Sequence, residues 1–231
     1  MSLRDRIAKA RCGGATQALE RARGGLLAWL DAAEDAGVET LAEGGAATGI
    51  GRVAMQATGE VQGLACAPGC AFCCILTGAD GGLMTEAEAG ALHAALSPLS
   101  GAPDGRAWHP KACAALDPDT RLCRAYDARP MICRTYVSTD VTACEQVAEG
   151  EAADGPGTLG PYHTYLAALG LSRAALKGVR RVPTYALSRL AAASLEGASL
   201  DDALKAARHK PGELDAELKR SKNDHRRAGL P

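Results

Sequence analysis

The sequence is poor in aromatic and β-branched side chains, and this shortage limits the folds that are open to it. Aromatic residues make up 3% of the 231 residues, and valine and isoleucine together contribute only twelve. Pleated sheets favour these residue types, and a buried parallel sheet needs Val/Ile-rich runs, which this chain lacks. Alanine, the best helix former, supplies about a fifth of the chain. We therefore predict a mainly α-helical fold.

The chain also lacks a strong net charge and any long apolar run. Its formal net charge is −1, so no overall field attracts it to nucleic acid or to an anionic membrane surface. No segment approaches the roughly 20 apolar residues of a membrane span, and the charged start MSLRDRIAKARCGG has no apolar stretch of signal-peptide length. We expect a cytoplasmic protein that has neither nucleic acid nor a membrane as a partner.

Composition divides the chain into four regions. Residues 1–60 have a helical pattern, residues 61–148 are rich in cysteine, glycine and proline, and residues 161–221 are again helical. The segment EGEAADGPGTLG (149–160) reads as a linker, and the polar residues 222–231 are expected to form a flexible tail. The expected architecture is a helical domain with a loop-rich, cysteine-bound metal centre and a helical C-terminal region.

Several helix starts carry capping signals. A Ser or Thr followed three residues later by an acidic residue satisfies the first free N–H groups of a helix. The sequence has this pattern at SLRD (2–5), TLAE (40–43), TEAE (85–88) and SLDD (199–202). Pro98 is expected to end the helix that begins after Thr85.

Nine cysteines are present, and eight of them lie between residues 66 and 144. Thiols stay reduced in the cytosol, so this density indicates metal binding or redox chemistry rather than a disulfide framework. Cys12 stands alone near the N-terminus and reads as a small buried core residue. The candidate metal ligands are Cys66, Cys70, Cys73, Cys74, Cys113, Cys123, Cys133 and Cys144.

The densest cluster is CAPGCAFCC (66–74), in which Pro68 and Gly69 supply a bend that aims several sulfurs at one point. Thiolates suit zinc and iron–sulfur clusters alike. Side chains of adjacent residues diverge, so Cys73 and Cys74 are expected to serve different metals, or different irons of one larger cluster. Eight thiols are enough for two four-sulfur sites or for one multi-iron cluster with spares.

Charged and aromatic residues surround the later cysteines in CRAYDARPMICRTY (123–136). A four-thiolate zinc site carries two net negative charges, which nearby guanidinium groups can offset while donating hydrogen bonds to sulfur. We predict that Arg129, Arg134 and Tyr126 support the centre in this way. Surface arginines that pair with Asp127 or Asp140 are the alternative interpretation.

These residues resemble the CxxCxxCC (YkgJ-like) family of zinc- or iron-chelating proteins. The resemblance rests on CAPGCAFCC, on LMTEAE (83–88), on CAALD from Cys113, and on the ordered series Cys123, Tyr126, Arg129, Pro130, Cys133 and Arg134. It covers about residues 66–136, and the first cysteine spacing is three residues instead of two. It implies a cysteine-bound zinc or iron–sulfur centre, and a related group is similar to S-adenosylmethionine-dependent lysine methylases that act on a protein.

The spacing of Cys66, Cys70 and Cys73 also resembles the cluster motif of radical S-adenosylmethionine enzymes. Those enzymes are built on a βα barrel, which this chain cannot form with so few strand-forming residues. The leading hypothesis is an iron–sulfur protein that supports redox chemistry or the modification of a protein or peptide substrate. If it is an enzyme, an iron–sulfur oxidoreductase or a protein-modifying enzyme is expected. The alternatives are a non-catalytic zinc protein whose helices bind a partner, and a methylase or radical enzyme.

Overall fold

The computed structural model describes residues 1–75 and 80–227, and the prediction of a mainly α-helical fold is confirmed. The helices of this part of the chain are α1 (Leu3–Lys9), α2 (Thr16–Ala32), α3 (Val38–Glu43), α4 (Gly45–Thr58), α5 (Glu86–Leu96), α6 (Gly105–Trp108), α7 (Met131–Thr135), α8 (Val141–Glu149), α9 (Gly160–Ala175), α10 (Leu187–Leu195), α11 (Leu200–Ala207) and α12 (Gly212–Arg227). Short 3-10 turns span Phe72–Cys74, Ser97–Leu99 and Tyr126–Ala128.

Two small antiparallel strand pairs join distant parts of the chain. Strand β1 (Leu83–Met84) pairs with β4 (Tyr185–Ala186), and β2 (Tyr136–Val137) pairs with β3 (Gly157–Thr158). Each strand has only two residues, which agrees with the shortage of β-branched side chains. The pairs attach two segments of the cysteine-rich region to the chain just before α10 and just before α9.

Helix α9 is the centre of the larger hydrophobic core. It packs against α1, α2, α4 and α12, and all its residues from Pro161 to Ser172 are buried. Small residues permit close approach: a Cβ at Gly170 would lie 2.8 Å from the sulfur of Cys12 and 2.9 Å from a methyl group of Leu218. Cys12 therefore packs in this core, as expected for a small apolar side chain.

A second core forms where α5 packs against α10 and α11. Its fully buried members include Met84, Leu92, Leu96, Tyr185 and Leu190. Cys113 also belongs to this cluster, and three further cysteines pack against its edge. The second core thus provides the wall on which the cysteine-rich region rests.

Three of the predicted caps are present. Ser2 and Thr85 each form a complete capping box with the acidic residue three positions later, and Ser199 accepts a hydrogen bond from the N–H of Asp202. The fourth differs from the expectation: α3 begins at Val38 after Gly37, and the Thr40 hydroxyl donates to the carbonyl of Asp35 at 2.9 Å.

The C-terminal residues differ from the expected flexible tail that begins at residue 222. Helix α12 continues to Arg227, because Leu214, Leu218, Ser221 and His225 recur at helical spacing and are buried. Residues 228–231 lie outside the described residues. Within the described ranges, no helix is both long and apolar enough to cross a membrane.

The carboxylate of Glu88 joins three helices. Its two oxygens accept hydrogen bonds from the N–H of Thr85 at 3.1 Å, the N–H of Met131 at 2.8 Å and the hydroxyl of Tyr165 at 2.6 Å. Burial raises the pKa of Glu88, and these hydrogen bonds act in the opposite direction. The Met131 N–H is an otherwise unpaired donor at the start of α7, so Glu88 in α5 fixes the position of α7 relative to α9.

We predict that Glu88→Gln lowers the free energy of unfolding by about 2 kcal/mol. One oxygen of Glu88 faces the N–H of Met131 and the other faces the N–H of Thr85, so either orientation of an amide places N–H against N–H. Denaturant unfolding of the metal-free protein measures the change.

Glu86→Gln is the matched control. Glu86 lies on the same helix and accepts a hydrogen bond from the Tyr185 hydroxyl at 2.6 Å, which an amide oxygen can also accept. The control should change stability by less than about 1 kcal/mol. Equal effects of the two substitutions would contradict the role assigned to Glu88.

Protonation of His163 should weaken the docking of α12. The rings of His163 and His225 lie 4.8 Å apart, and burial followed by the charge of His225 lowers the pKa of His163. The pKa of His163 in the folded protein lies below its unfolded value of about 6.5. As the pH falls below that value, the unfolded chain takes up a proton more readily than the folded protein does, so the free energy of unfolding decreases. His163→Phe should reduce the loss of stability between pH 7.5 and 5.5, measured by denaturant unfolding. An unchanged pH dependence would argue against this account.

Candidate metal centre

The first cysteines lie on a tight turn. The N–H of Cys70 donates to the carbonyl of Ala67 at 3.2 Å across Pro68 and Gly69, and Gly69 has a φ of 80°. Proline presets the second position of such a turn, and glycine adopts the positive φ of the third. The bend that the sequence indicated between Cys66 and Cys70 is therefore present.

A 3-10 turn then presents Cys73 and Cys74. Ala71 enters it with a left-handed φ of 53°, and the N–H of Cys74 donates to the Ala71 carbonyl at 2.9 Å. The two sulfur atoms lie 4.0 Å apart. The two side chains therefore do not diverge, contrary to the expectation from their adjacent positions. Two thiolates on one tetrahedral zinc, with Zn–S distances of about 2.3 Å, are about 3.8 Å apart, which is close to the observed separation.

Cys113 and Cys123 lie on a short irregular hairpin beside this turn. The N–H of Cys113 donates to the carbonyl of Cys74 at 2.7 Å, and Cys123 forms an antiparallel bridge with Leu116. Helix α6 approaches closely here, since a Cβ at Gly105 would collide with the Cys113 carbonyl oxygen. Backbone contacts therefore hold the segments that carry Cys74, Cys113 and Cys123 against one another.

Cys133 is the third residue of α7, the helix that Glu88 positions. Together with Cys74 and Cys123, it packs against the second core, to which the buried Cys113 belongs. The structure thus brings these four thiols to one apolar wall, although they are spread over 60 positions of the sequence.

Cys144 and Cys66 are not among the residues that pack against the second core. Cys144 is on α8, which packs against the turn of Phe72–Cys74. The sulfur of Cys66 lies 3.9 Å from the carbonyl oxygen of Ser138, which also accepts a 2.8 Å hydrogen bond from the N–H of Ala65. Cys66 and Cys73 are exposed, whereas Cys70 and Cys144 are half-buried.

The buried thiols resist ionisation. Burial raises the pKa of Cys113 to about 12 and raises the pKa of Cys133 well above the usual thiol value. Cys123 and Cys144 have pKa values raised by the same cause. An isolated thiolate is costly at low dielectric, so these sulfurs remain neutral unless a cation compensates their charge.

The two thiols of the adjacent pair, Cys73 and Cys74, have different pKa values. The hydrogen bond with Cys74 lowers the pKa of Cys73 to about 7, and the same contact, followed by burial, raises the pKa of Cys74 well above its usual value. Cys73 is therefore the thiol of the pair that ionises first and the more reactive of the two.

The three residues predicted to support the centre differ in their placement. The guanidinium of Arg129 lies 3.5 Å from the centre of the Tyr126 ring, and its charge favours the thiolate forms of Cys73, Cys123 and Cys133. Arg129 is thus near the thiols, and Tyr126 supports it from the solvent side.

Arg134 has a different set of contacts. Its side chain donates to the carbonyl of Arg129 at 2.6 Å and to the carbonyl of Asp127. It therefore holds the loop that carries Arg129. The alternative interpretation, in which these arginines pair with acidic side chains, is not the arrangement found for Arg129 and Arg134: both direct their side-chain N–H groups to backbone carbonyls.

The chemistry of the donor set fits a thiolate-bound metal, although the sulfurs are not yet arranged around one point. Among residues 1–75 and 80–227, no group of three or more His, Cys, Asp or Glu side chains has metal-holding geometry. The donors are sulfur atoms, several are buried, and Arg129 offsets negative charge beside them.

Sequence reasoning did not find every residue that shapes this region. Ser138 anchors Cys66 through its carbonyl, and Asp140 caps α8 by accepting the N–H of Thr142 at 2.8 Å. An STD triplet shortly before Cys144 was the available signal, because Ser, Thr and Asp favour helix N-caps. The contact between Ser138 and Cys66 spans 72 positions and left no sequence pattern.

Comparison with known proteins agrees with this description. Residues 65–151 match the family model named CxxCxxCC, which is described as a "Putative zinc- or iron-chelating domain". No curated protein and no solved structure gave a match. The match contains the eight cysteines from Cys66 to Cys144 and confirms the resemblance noted in the sequence. Residues 65–151 of this chain are thus similar to the CxxCxxCC family, and this match supports a metal-binding role for the cysteine-rich region.

Proposed function

We propose that the eight cysteines of the cysteine-rich region hold an iron–sulfur centre that supports redox chemistry or the modification of a protein or peptide. The observation that carries this proposal is the gathering of thiols from five separate segments around the turn of Phe72–Cys74. When bound, such a cluster supplies one-electron chemistry or activates a cofactor.

The number of thiols favours a multinuclear centre over one structural zinc. A structural zinc is closed by four ligands, whereas eight cysteines are available here. Cys113 and Cys133 would bind in a dry environment against the second core, which strengthens electrostatic interactions and excludes water. Arg129 would offset part of the negative charge of the thiolates.

A protein or peptide is the proposed partner. Exposed apolar side chains are found in the cysteine-bearing segments, including Leu122 beside Cys123, Tyr126, and Val141 at the start of α8. Single exposed apolar residues are common on protein surfaces. Three of them in segments that carry candidate ligands, however, support a surface that a polypeptide contacts near the metal.

A zinc protein without catalytic activity is the second candidate, and one observation favours it. The 4.0 Å separation of the sulfurs of Cys73 and Cys74 is close to the spacing of two thiolates on one tetrahedral zinc. In this case the metal would join the turn of Phe72–Cys74 to the rest of the domain, and the helices would bind a partner.

Metal analysis of protein purified without oxygen should separate these candidates. We expect iron with a matching amount of acid-labile sulfide and a broad visible absorption that bleaches on reduction. Purification in air serves as the control, because oxygen degrades exposed clusters but not zinc sites. A colourless protein with stoichiometric zinc and no labile sulfide would reject the iron–sulfur proposal and support the zinc candidate.

Cys73→Ser and Cys133→Ser should each lose bound metal, and Cys133→Ser should also lower the melting temperature. Metal binding contributes to folding free energy, and Cys133 lies against the second core. Metal content and thermal unfolding measure the two effects. Cys12→Ser is the control, since Cys12 packs in the other core and should retain all metal. Full metal occupancy in both test variants would show that the ligand set is wrong.

A further inference from the structure

We propose that a cleft between α5, β4 and α11 binds a small zwitterion, namely a free α-amino acid with an aliphatic side chain. The cleft has a volume of about 410 Å³, which lies within the range of about 300–1,000 Å³ for small-molecule sites. It is lined by Glu86, Tyr185, Asp201, Leu204, Lys205 and Arg208. None of these side chains is a cysteine, so the cleft is distinct from the metal centre.

Backbone pairing places an acidic and a basic side chain beside Tyr185. Strand β1 pairs Met84 with Tyr185, and Glu86 is the first residue of α5, shortly after that strand. Tyr185 also forms an antiparallel bridge with Arg208, the residue that caps the C-terminus of α11. Main-chain contacts therefore determine where Glu86 and Arg208 enter the cleft.

The hydroxyl of Tyr185 lies between these two charged groups. It donates to Oε2 of Glu86 at 2.6 Å and accepts from Nη2 of Arg208 at 3.4 Å. Burial, followed by the hydrogen bond to Glu86, raises the pKa of Tyr185 to about 12, so the hydroxyl keeps its proton at neutral pH. Within the described part of the chain, Glu86 and Arg208 form no direct ion pair. Opposite charges thus face the cleft without neutralising each other.

Both charged groups have hydrogen-bonding capacity left for a ligand. Among residues 1–75 and 80–227, Oε1 of Glu86 accepts no hydrogen bond, and Arg208 donates only through Nη2. A carboxylate accepts from an ammonium group, and a guanidinium donates two parallel hydrogen bonds to a carboxylate. Because Glu86 and Arg208 contact the same hydroxyl oxygen, the neighbouring ammonium and carboxylate of one α-amino acid can reach both.

One face of α11 supplies the rest of the cleft. Its lining residues recur at helical spacing and therefore share a face: Asp201, Leu204, Lys205 and Arg208. Leu204 is half-buried and is the aliphatic residue of the lining, which favours an aliphatic side chain in the ligand. Lys205 already pairs with Asp202 at 3.1 Å. Glu86 and Arg208 are therefore the pair assigned to the ligand.

Opposite charges in one cleft select for a zwitterion. A ligand with only a carboxylate would leave Glu86 without a cationic partner, and a ligand with only an ammonium would leave Arg208 without an anionic one. Unpaired charges of this kind discriminate against the wrong ligand. The two functional groups of the ligand should thus both be needed for binding.

Calorimetric titration of the purified full-length protein tests the proposed ligand class. The probes are L-leucine, L-isoleucine and L-valine, and at least one should bind, with one molecule per chain. The tightest probe is then compared with the same molecule lacking its amino group and with the same molecule lacking its carboxylate. Each of these singly charged analogues should bind at least about tenfold more weakly, because one charge-assisted hydrogen-bonding partner is lost.

Substitutions at the cleft test its location. Glu86→Gln and Arg208→Gln should each weaken binding of the tightest probe by about tenfold or more, with unchanged circular dichroism. The amide oxygen of Glu86→Gln can still accept from Tyr185, so the fold is kept while the charge is lost. The matched controls are Glu39→Gln and Arg180→Gln, which break an exposed 3.0 Å ion pair outside the cleft and should leave the affinity unchanged.

Three results would overturn the proposal. The first is the absence of binding by all three amino acids. The second is a singly charged analogue that binds as tightly as its parent amino acid, a comparison that needs only the wild-type protein. The third is unchanged affinity in both Glu86→Gln and Arg208→Gln, which would place the ligand outside this cleft.

Discussion

The buried carboxylate of Glu88 is the contact on which the position of the cysteine-rich region depends. It lies on α5, accepts the first N–H of α7 and accepts the hydroxyl of Tyr165 from the central helix α9. A carboxylate removed from water is stable only when its oxygens are satisfied, and here hydrogen-bond donors from three helices satisfy them. Since α7 carries Cys133, a capping interaction of α5 also sets the location of a candidate metal ligand.

The thiols extend this arrangement from the core to the surface. Cys113 and Cys133 are held where an unpaired thiolate is unfavourable, and Cys66 and Cys73 are open to solvent. A bound cation would reverse the preference of the buried sulfurs for the neutral form. Metal binding and the packing of the second core are therefore expected to stabilise each other.

Local patterns in the sequence were enough to predict part of this structure. The caps at Ser2, Thr85 and Ser199 and the turn at Pro68–Gly69 depend on residues within four positions of each other. The helical class followed from the composition. The end of α12 was not predicted, because its many charged residues hid the helical spacing of Leu214, Leu218, Ser221 and His225, which pack against α9 only in the folded chain.

The site itself was predicted as a set of residues, but its internal arrangement was not. Cysteine spacing identifies eight candidate ligands, yet it carries no information on which sulfurs face the second core and which face α8. Contacts such as that of Glu88 with Tyr165 join positions 77 residues apart and follow from tertiary packing alone. The distance between the sulfurs of Cys73 and Cys74 depends on the 3-10 turn, which the cysteine spacing does not predict.

X-ray absorption at the metal edge of the purified protein tests the central claim most directly. The account predicts a first coordination shell made only of sulfur, at about 2.3 Å, with metal neighbours at short distance as well if the centre is an iron–sulfur cluster. A first shell dominated by nitrogen or oxygen would contradict the account, because the cysteines of this domain would then not be the ligands.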